Sequence, residues 1–145
     1  MVTMSYILIT IQKFNHRYAA LMQKEAKRVG LSKIELDILL FLRNNPSFDT
    51  AKDIVEYRGI AKSYVSKTLD QLKEQGLIAL EEDPHDRRLQ HIRLTDKSAP
   101  IAEDAKQLQE KFYKHLLKGI PEHSILEMKD IFLQIHNNIN DKEDF

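Results

Sequence analysis

The stretch from Thr50 to Thr95 constrains the fold most, because two short helical patterns and an alternating hairpin follow one another there in a fixed order. Ala51 to Tyr57 reads as a helix. Thr50 stands at its N-cap, where a hydroxyl oxygen takes an otherwise unpaired amide, and Asp53 three residues on makes a short version of a capping box. Arg58-Gly59-Ile60 reads as a turn: Gly59 admits the positive φ of a helix end, and Ile60 plugs the angle between two helices. A second helix is expected from about Lys62 to Gln75, stopping at Gly76. Its Val65, Leu69 and Leu72 recur at i, i+4 and i+7, so Ser63, Tyr64, Ser66 and Lys67 fall on the outer faces of its first half. A small, polar, cationic surface of this kind lets a helix enter a major groove and touch base edges. After Gly76 the period changes to two, with Ile78 and Leu80 on one face, and Gln90, Ile92 and Leu94 alternating with His91 and Arg93. Two strands around a charged tip make a wing, in which Asp83-Pro84 opens the turn and Arg87-Arg88 carries charge outward.

The run Asp86-Arg87-Arg88-Leu89-Gln90-His91-Ile92-Arg93-Leu94-Thr95 is similar to the D-x-R-x5-L-T signature of the MarR winged helix-turn-helix regulators, complete in its spacing. Ahead of it, Lys62 to Lys67, then Leu69, Leu72 and Gly76-Leu77-Ile78, resemble that family's recognition helix and strand entry. The expected fold is mainly α with a small β wing (α+β): a winged helix-turn-helix with N- and C-terminal dimerisation helices. The resemblance implies a transcriptional regulator, a repressor that binds a pseudo-palindromic double-stranded DNA operator as a homodimer. Lys62, Ser63, Tyr64, Ser66, Lys67, Arg87 and Arg88 are the candidate DNA contacts. Ser66 and Lys67 would reach phosphate or a base, Tyr64 would stack or touch a thymine methyl, and by resemblance Arg88 enters the minor groove. Asp86 would not face DNA, since a carboxylate beside phosphates is repelled; it is expected to orient Arg88, or Arg87 or Arg58, by a charge-assisted hydrogen bond. One position departs from the family, which usually carries Ser before the recognition helix. Ala61 stands there and cannot cap, so Ser63 is the candidate for a later cap. On the residues alone, a winged helix that docks proteins without binding DNA is the alternative.

Charge bears directly on this reading, because DNA-binding domains tend to be basic and this chain is neutral, with 22 Lys and Arg against 22 Asp and Glu. Residues 1–49 carry 7 cations against 4 carboxylates, residues 50–95 carry 8 against 8, and residues 96–145 carry 7 against 10. A neutral block binds DNA only if its cations are grouped, and then with modest, salt-sensitive non-specific affinity. Cysteine is absent, which excludes disulfides, thiolate metal sites and thiol redox sensing. No nucleophile elbow, phosphate loop or H-E-x-x-H occurs, so no catalytic residue and no cofactor is expected. None of the six histidines pairs with another at helical spacing, so no metal site is expected either. Without a long apolar run or a secretory leader, the expectation is a cytoplasmic protein with no membrane partner.

The rest of the chain reads as support, and 1–145 is expected to form a single domain with 32–95 as the DNA-binding lobe. A long amphipathic helix from about Ser5 to Val29 carries Ile7, Ile11, Phe14, Tyr18, Leu21 and Met22 in helical register, ended by Gly30. Ser32-Lys33-Ile34-Glu35 reads as a full capping box for a helix whose apolar run, Leu36 to Leu42, is buried on most sides. Asn45-Pro46 stops it, and Ser47-Phe48-Asp49 is an extended piece able to pair with the wing. Two further helices follow Thr95, separated by Gly119-Ile120-Pro121, before a tail from Asp141 to Phe145 that should fray. The apolar stripes of the first and last parts, 1–31 and 96–145, exceed what a lone winged helix can cover, and so imply a second copy. Family members release DNA on binding small aromatic or phenolic acids, and the resemblance implies such an effector here. His16, Arg17 and Tyr18 are its candidate ligands, with Phe14, Met22 and Phe41 as further lining.

Overall fold

Helix boundaries in the computed structural model, which describes residues 1–141, follow the capping residues. Thr3 accepts the amide of Tyr6 and opens α1 (Met4–Arg28); Ser32 accepts the amide of Glu35 and opens α2 (Lys33–Asn44). Thr50 opens α3 (Ala51–Arg58), and α4 (Lys62–Glu74) follows after Gly59, whose φ of 62° is the left-handed turn expected of it. No atom lies within 4 Å of where a Cβ at Gly59 would be, so the glycine is required by its backbone angle and not by crowding. The strands β1 (Ile78–Glu82) and β2 (Gln90–Leu94) pair antiparallel, with Ile78 opposite Leu94 and Leu80 opposite Ile92. Helices α5 (Ala99–Leu116) and α6 (Glu122–Asn140) complete the order. Of the expected tail, residues 142–145 lie outside the described residues.

Helix α2 is apolar nearly all round because it is the wall shared by two cores. One of its faces sends Ile38, Leu39, Phe41 and Leu42 into a cluster with Ile54 of α3, Val65, Leu69 and Leu72 of α4, and Leu77, Ile78 and Ile92 of the hairpin. The other sends Leu36 and Leu40 against Met22 and Ala26 of α1 and Ala105 of α5. Ile54, Val65 and Leu72 are completely buried, each contributing roughly 1.5–3 kcal/mol relative to exposure. That burial fixes the rotation of α4 about its axis, and therefore which of its residues face outward.

Several local expectations need correction. At Ser32 the capping box is half made: Glu35 is not turned back to the cap, because its carboxylate accepts from Gln75 Nε2 at 3.0 Å. At Thr50 the box is complete, with Asp53 Oδ2 accepting the Thr50 amide at 3.0 Å. Ser63 is not a later cap, since α4 begins at Lys62 with the amides of Tyr64 and Val65 both donated to the Ala61 carbonyl. Ser47-Phe48-Asp49 adds no third strand; it gives the hairpin one backbone bond, Ile92 N–H to Asp49 O at 2.7 Å. Leu80 shares a face with Ile78 but is exposed, whereas Ile92 opposite it is buried in the core.

The chain divides into two compact units, Met1–Gln109 and Glu110–Phe145. Within the first, α1 exposes Met4, Tyr6, Ile7, Leu8, Ile9 and Ile11 before Met22 and Ala26 are buried. In the second, α6 has no buried residue and exposes Leu126, Ile131, Phe132, Leu133, Ile135 and Ile139. Among the described residues no helix is long and apolar enough to cross a membrane.

Candidate nucleic-acid interface

The outward face of α4 is the complement of its buried one. Val65, Thr68, Leu69 and Leu72 point inward, while Lys62, Ser63, Tyr64, Ser66 and Lys67 are all exposed. Thr68 stays satisfied by donating its hydroxyl to the Tyr64 carbonyl at 2.8 Å. The start of this face has no side-chain cap, Ala61 having nothing to offer. The helix ahead of it is anchored by Arg58, whose guanidinium lies 3.5 Å from Asp37 of α2. Asp37 is buried and also takes Lys33 Nζ at 2.6 Å. Arg58 is thus committed to the scaffold and is not a partner of Asp86.

The wing tip is built by two aspartates acting on backbone. Asp83 Oδ1 accepts the amides of His85 at 2.8 Å and Asp86 at 2.9 Å, closing the turn that Pro84 begins. Asp86 Oδ1 accepts the amide of Arg88 at 3.0 Å. The expected charge-assisted bond from Asp86 to an arginine side chain is therefore replaced by a bond to the Arg88 backbone. It fixes where the side chain leaves the chain and leaves the guanidinium itself uncommitted. Arg87 is almost fully exposed and sits 3.6 Å from Glu82, a surface pair of little energetic weight.

The neutral charge of the block now has a structural explanation. Asp49 and Asp83 both bond to His91, Asp49 and Glu81 also hold Arg93, and Asp53 is consumed by the α3 cap. Among the described residues, no carboxylate comes within ion-pair distance of Lys62, Lys67 or Arg88. Asp53, Glu81, Asp83 and Asp86 are thus engaged within the lobe, and Lys62, Lys67 and Arg88 stand on the exposed face of α4 and the wing tip.

Of the residues expected around an effector, Tyr18 packs against the core of Met22. His16 and Arg17 are exposed on α1, and Tyr18 is half-buried, stacked on Phe14 with centroids 6.1 Å apart and accepting from Gln109 Nε2 at 2.7 Å. Met22 and Phe41 belong to different cores. Tyr64 lines two clefts. One, of about 580 Å³, is lined by Lys33, Ile34, Asp37, Arg58 and Ile60 among others; a smaller one, of about 210 Å³, includes Glu35, Lys67 and Gln71.

His91 bridges two carboxylates, Asp49 and Asp83. Alternation places it on the outer face of β2, but its two carboxylate partners lie 8 and 42 positions away, beyond any local pattern.

Known proteins share this geometry. The regulator of the MarR family from Listeria monocytogenes solved in complex with 26mer DNA matches with a TM-score of 0.81 at 18% identity, covering 100% of both chains. CouR from Rhodococcus jostii RHA1, bound to p-coumaroyl-CoA, matches with a TM-score of 0.74 at 22% identity over 89% of this chain and 90% of that one. In sequence, the uncharacterised HTH-type transcriptional regulator YdgJ of Bacillus subtilis (strain 168) is 27% identical over 114 residues, covering 79% of this chain and 69% of that protein. The MarR family model itself matches residues 29–89, which run from the end of α1 through the helix-turn-helix to the wing tip. With α4, the wing and the D-x-R-x5-L-T run all in place around that match, the helix-turn-helix and wing of this chain are similar to those of MarR family regulators.

Proposed function

We propose that this regulator binds a pseudo-palindromic operator as a homodimer and represses from it, with α4 in the major groove and Arg88 of the wing in the adjacent minor groove. The observation that carries the reading is that Lys62 and Lys67 on α4 and Arg88 on the wing tip have no carboxylate within ion-pair distance among the described residues, in a lobe whose formal charges balance. Ser63, Tyr64 and Ser66 lie between or beside them as base-contacting candidates, and Arg87 is a second wing cation. The Listeria relative, crystallised with 26mer DNA, supports the same assignment. Residues 32–95 then form the DNA-reading lobe, and the exposed apolar residues of α1 and α6 are covered by the second copy. A cytoplasmic location, where an operator resides, and the absence of any catalysis belong to the same proposal.

A small organic effector is part of this reading, supported by the Rhodococcus relative bound to p-coumaroyl-CoA. The cleft beside Tyr64, within the usual size of small-molecule pockets, is a better candidate for it than His16, Arg17 and Tyr18. A ligand seated there would touch the proposed recognition surface directly.

A gel shift with duplex from upstream of the protein's own coding sequence tests the proposal. A retarded complex of two protein chains per duplex, weakened by Lys67→Ala and by Arg88→Ala, is expected. Equal binding by parent and both variants would remove α4 and the wing from the interface. No complex at any concentration would favour the protein-docking alternative.

A further inference from the structure

We propose that protonated His91 is a positioning residue for the wing: bridging Asp49 and Asp83, it holds the hairpin and Arg88 at a fixed angle to the helix-turn-helix, so that DNA affinity falls when the imidazole loses its proton. The inference rests on the DNA-binding reading above.

The connection can be followed atom by atom. Asp49 immediately precedes Thr50, the cap of α3, and its carbonyl accepts the Ile92 amide at 2.7 Å. Its Oδ1 is 2.8 Å from His91 Nδ1, and its other oxygen accepts from Arg93. His91 Nε2 is 2.8 Å from Asp83 Oδ2. Asp83 Oδ1 in turn holds the amides of His85 and Asp86, and Asp86 holds the amide of Arg88. A path of hydrogen bonds thus runs from Asp49, next to the cap of α3, to the wing-tip arginine, with one imidazole at its middle.

Both ring nitrogens face carboxylate oxygens, which only accept. A neutral imidazole has a single N–H, so one of the two contacts would set a lone pair against a carboxylate; only the imidazolium satisfies both. The three side chains are 22%, 15% and 19% exposed for His91, Asp49 and Asp83, shielded enough for their geometry to be held. The charged groups around the ring are Asp49 from the segment before α3, Asp83 beyond β1, Glu81 directly across the ladder, and Arg93 two residues along β2. Three carboxylates against one guanidinium favour a positive ring.

Titration follows from this arrangement. The bonds to Asp83 and then Asp49 raise His91 above the ordinary imidazole value, against some desolvation. Burial pushes Asp49 up, but bonds from His91 and Arg93 more than reverse it. Asp83 is lowered by His91 and by the amides of His85 and Asp86. A raised histidine contributes fully below its ordinary value and is lost as pH rises through its folded value. Lowered carboxylates contribute above their ordinary values and are lost as pH falls through their folded ones. The clamp is therefore bounded on the alkaline side by His91 and on the acid side by Asp49 and Asp83.

The test measures affinity for the upstream duplex between about pH 6 and about pH 9 for the parent, His91→Gln and His91→Lys, a range bracketing imidazole titration. Amide exchange protection at Arg88 in the protein without DNA is followed alongside, corrected for base catalysis. The parent should lose roughly two- to fivefold in affinity per subunit as pH rises, the scale of a partly exposed ion pair. His91→Gln should be weak throughout, and His91→Lys, which keeps its charge, should bind throughout without that pH dependence. A flat parent profile, or the parent's pH dependence retained in His91→Gln, overturns the proposal. Failure of the parent to bind DNA at any pH refutes the DNA reading separately. Arg88 protection then decides the clamp: loss with rising pH in the parent but not in His91→Lys upholds it, and pH-independent protection overturns it.

Discussion

Ala61 is where the exposed face of α4 begins, and its backbone, at φ −56° and ψ 138°, already has the extended conformation of a capping residue. Ala61→Ser should therefore supply the missing oxygen without strain and stabilise the fold by about 1 kcal/mol. Urea unfolding measures this, and an unchanged midpoint would show that the helix start is satisfied by other means. Asp53→Ala should do the opposite, losing about 1 kcal/mol, because the box at Thr50 is complete and each oxygen has a backbone amide to serve. The difference between Thr50 and Ser32 also shows what could be read at this scale. Both spacings were visible in the sequence, but Glu35 is drawn away by Gln75, forty positions on, and no local pattern contains that competition. Asp86 was legible as a residue that positions Arg88; that it would do so through backbone was not, because tip geometry depends on Asp83 closing the turn first.

At the scale of elements, periodicity carried most of the information. The positions Val65, Leu69 and Leu72 set the rotation of α4, and the outward residues follow from that alone. Tyr64→Ala should blur sequence preference, measured as the affinity ratio between operator and scrambled duplex. Lys67→Ala should instead weaken binding to both duplexes nearly alike if the lysine contacts phosphate. A reversal of these two patterns would exchange the roles assigned to the residues. The hairpin was less legible, because alternation gives a strand's faces but not how far each strand lies over the core. Leu80 shows the consequence, apolar by sequence and exposed in the wing. Phe14, Tyr18, Met22 and Phe41 share an aromatic or soft apolar character, but periodicity alone does not tell that Tyr18 packs against the Met22 cluster while Phe41 belongs to the other core. The larger cleft at Tyr64 is formed by residues of α1, α2, α3 and α4 together, a juxtaposition that no local pattern contains.

For the whole molecule, the apolar residues exposed on α1 and on α6 are more than an isolated chain would leave in water. The protein should sediment as a dimer, and Phe132→Asp combined with Ile135→Asp should give monomers that retain helical circular dichroism. A compact monomer of the parent at micromolar concentration would contradict the dimer and with it the symmetry expected of the operator. Dimerisation would place two recognition helices about one helical turn, ~34 Å, apart, so that the wing cation enters twice per complex, once from each subunit. The central claim, that cations left unpaired by the scaffold are the ones that meet DNA, is tested most directly by operator affinity across a salt series for the parent and Arg88→Ala. The log–log slope should flatten by up to ~2 per dimer in the variant, less if the side chain reaches sugars deep in the groove, while the melting temperature stays at the parent value. An unchanged slope accompanied by a lowered melting temperature would contradict it and leave Arg88 as part of the hairpin's framework.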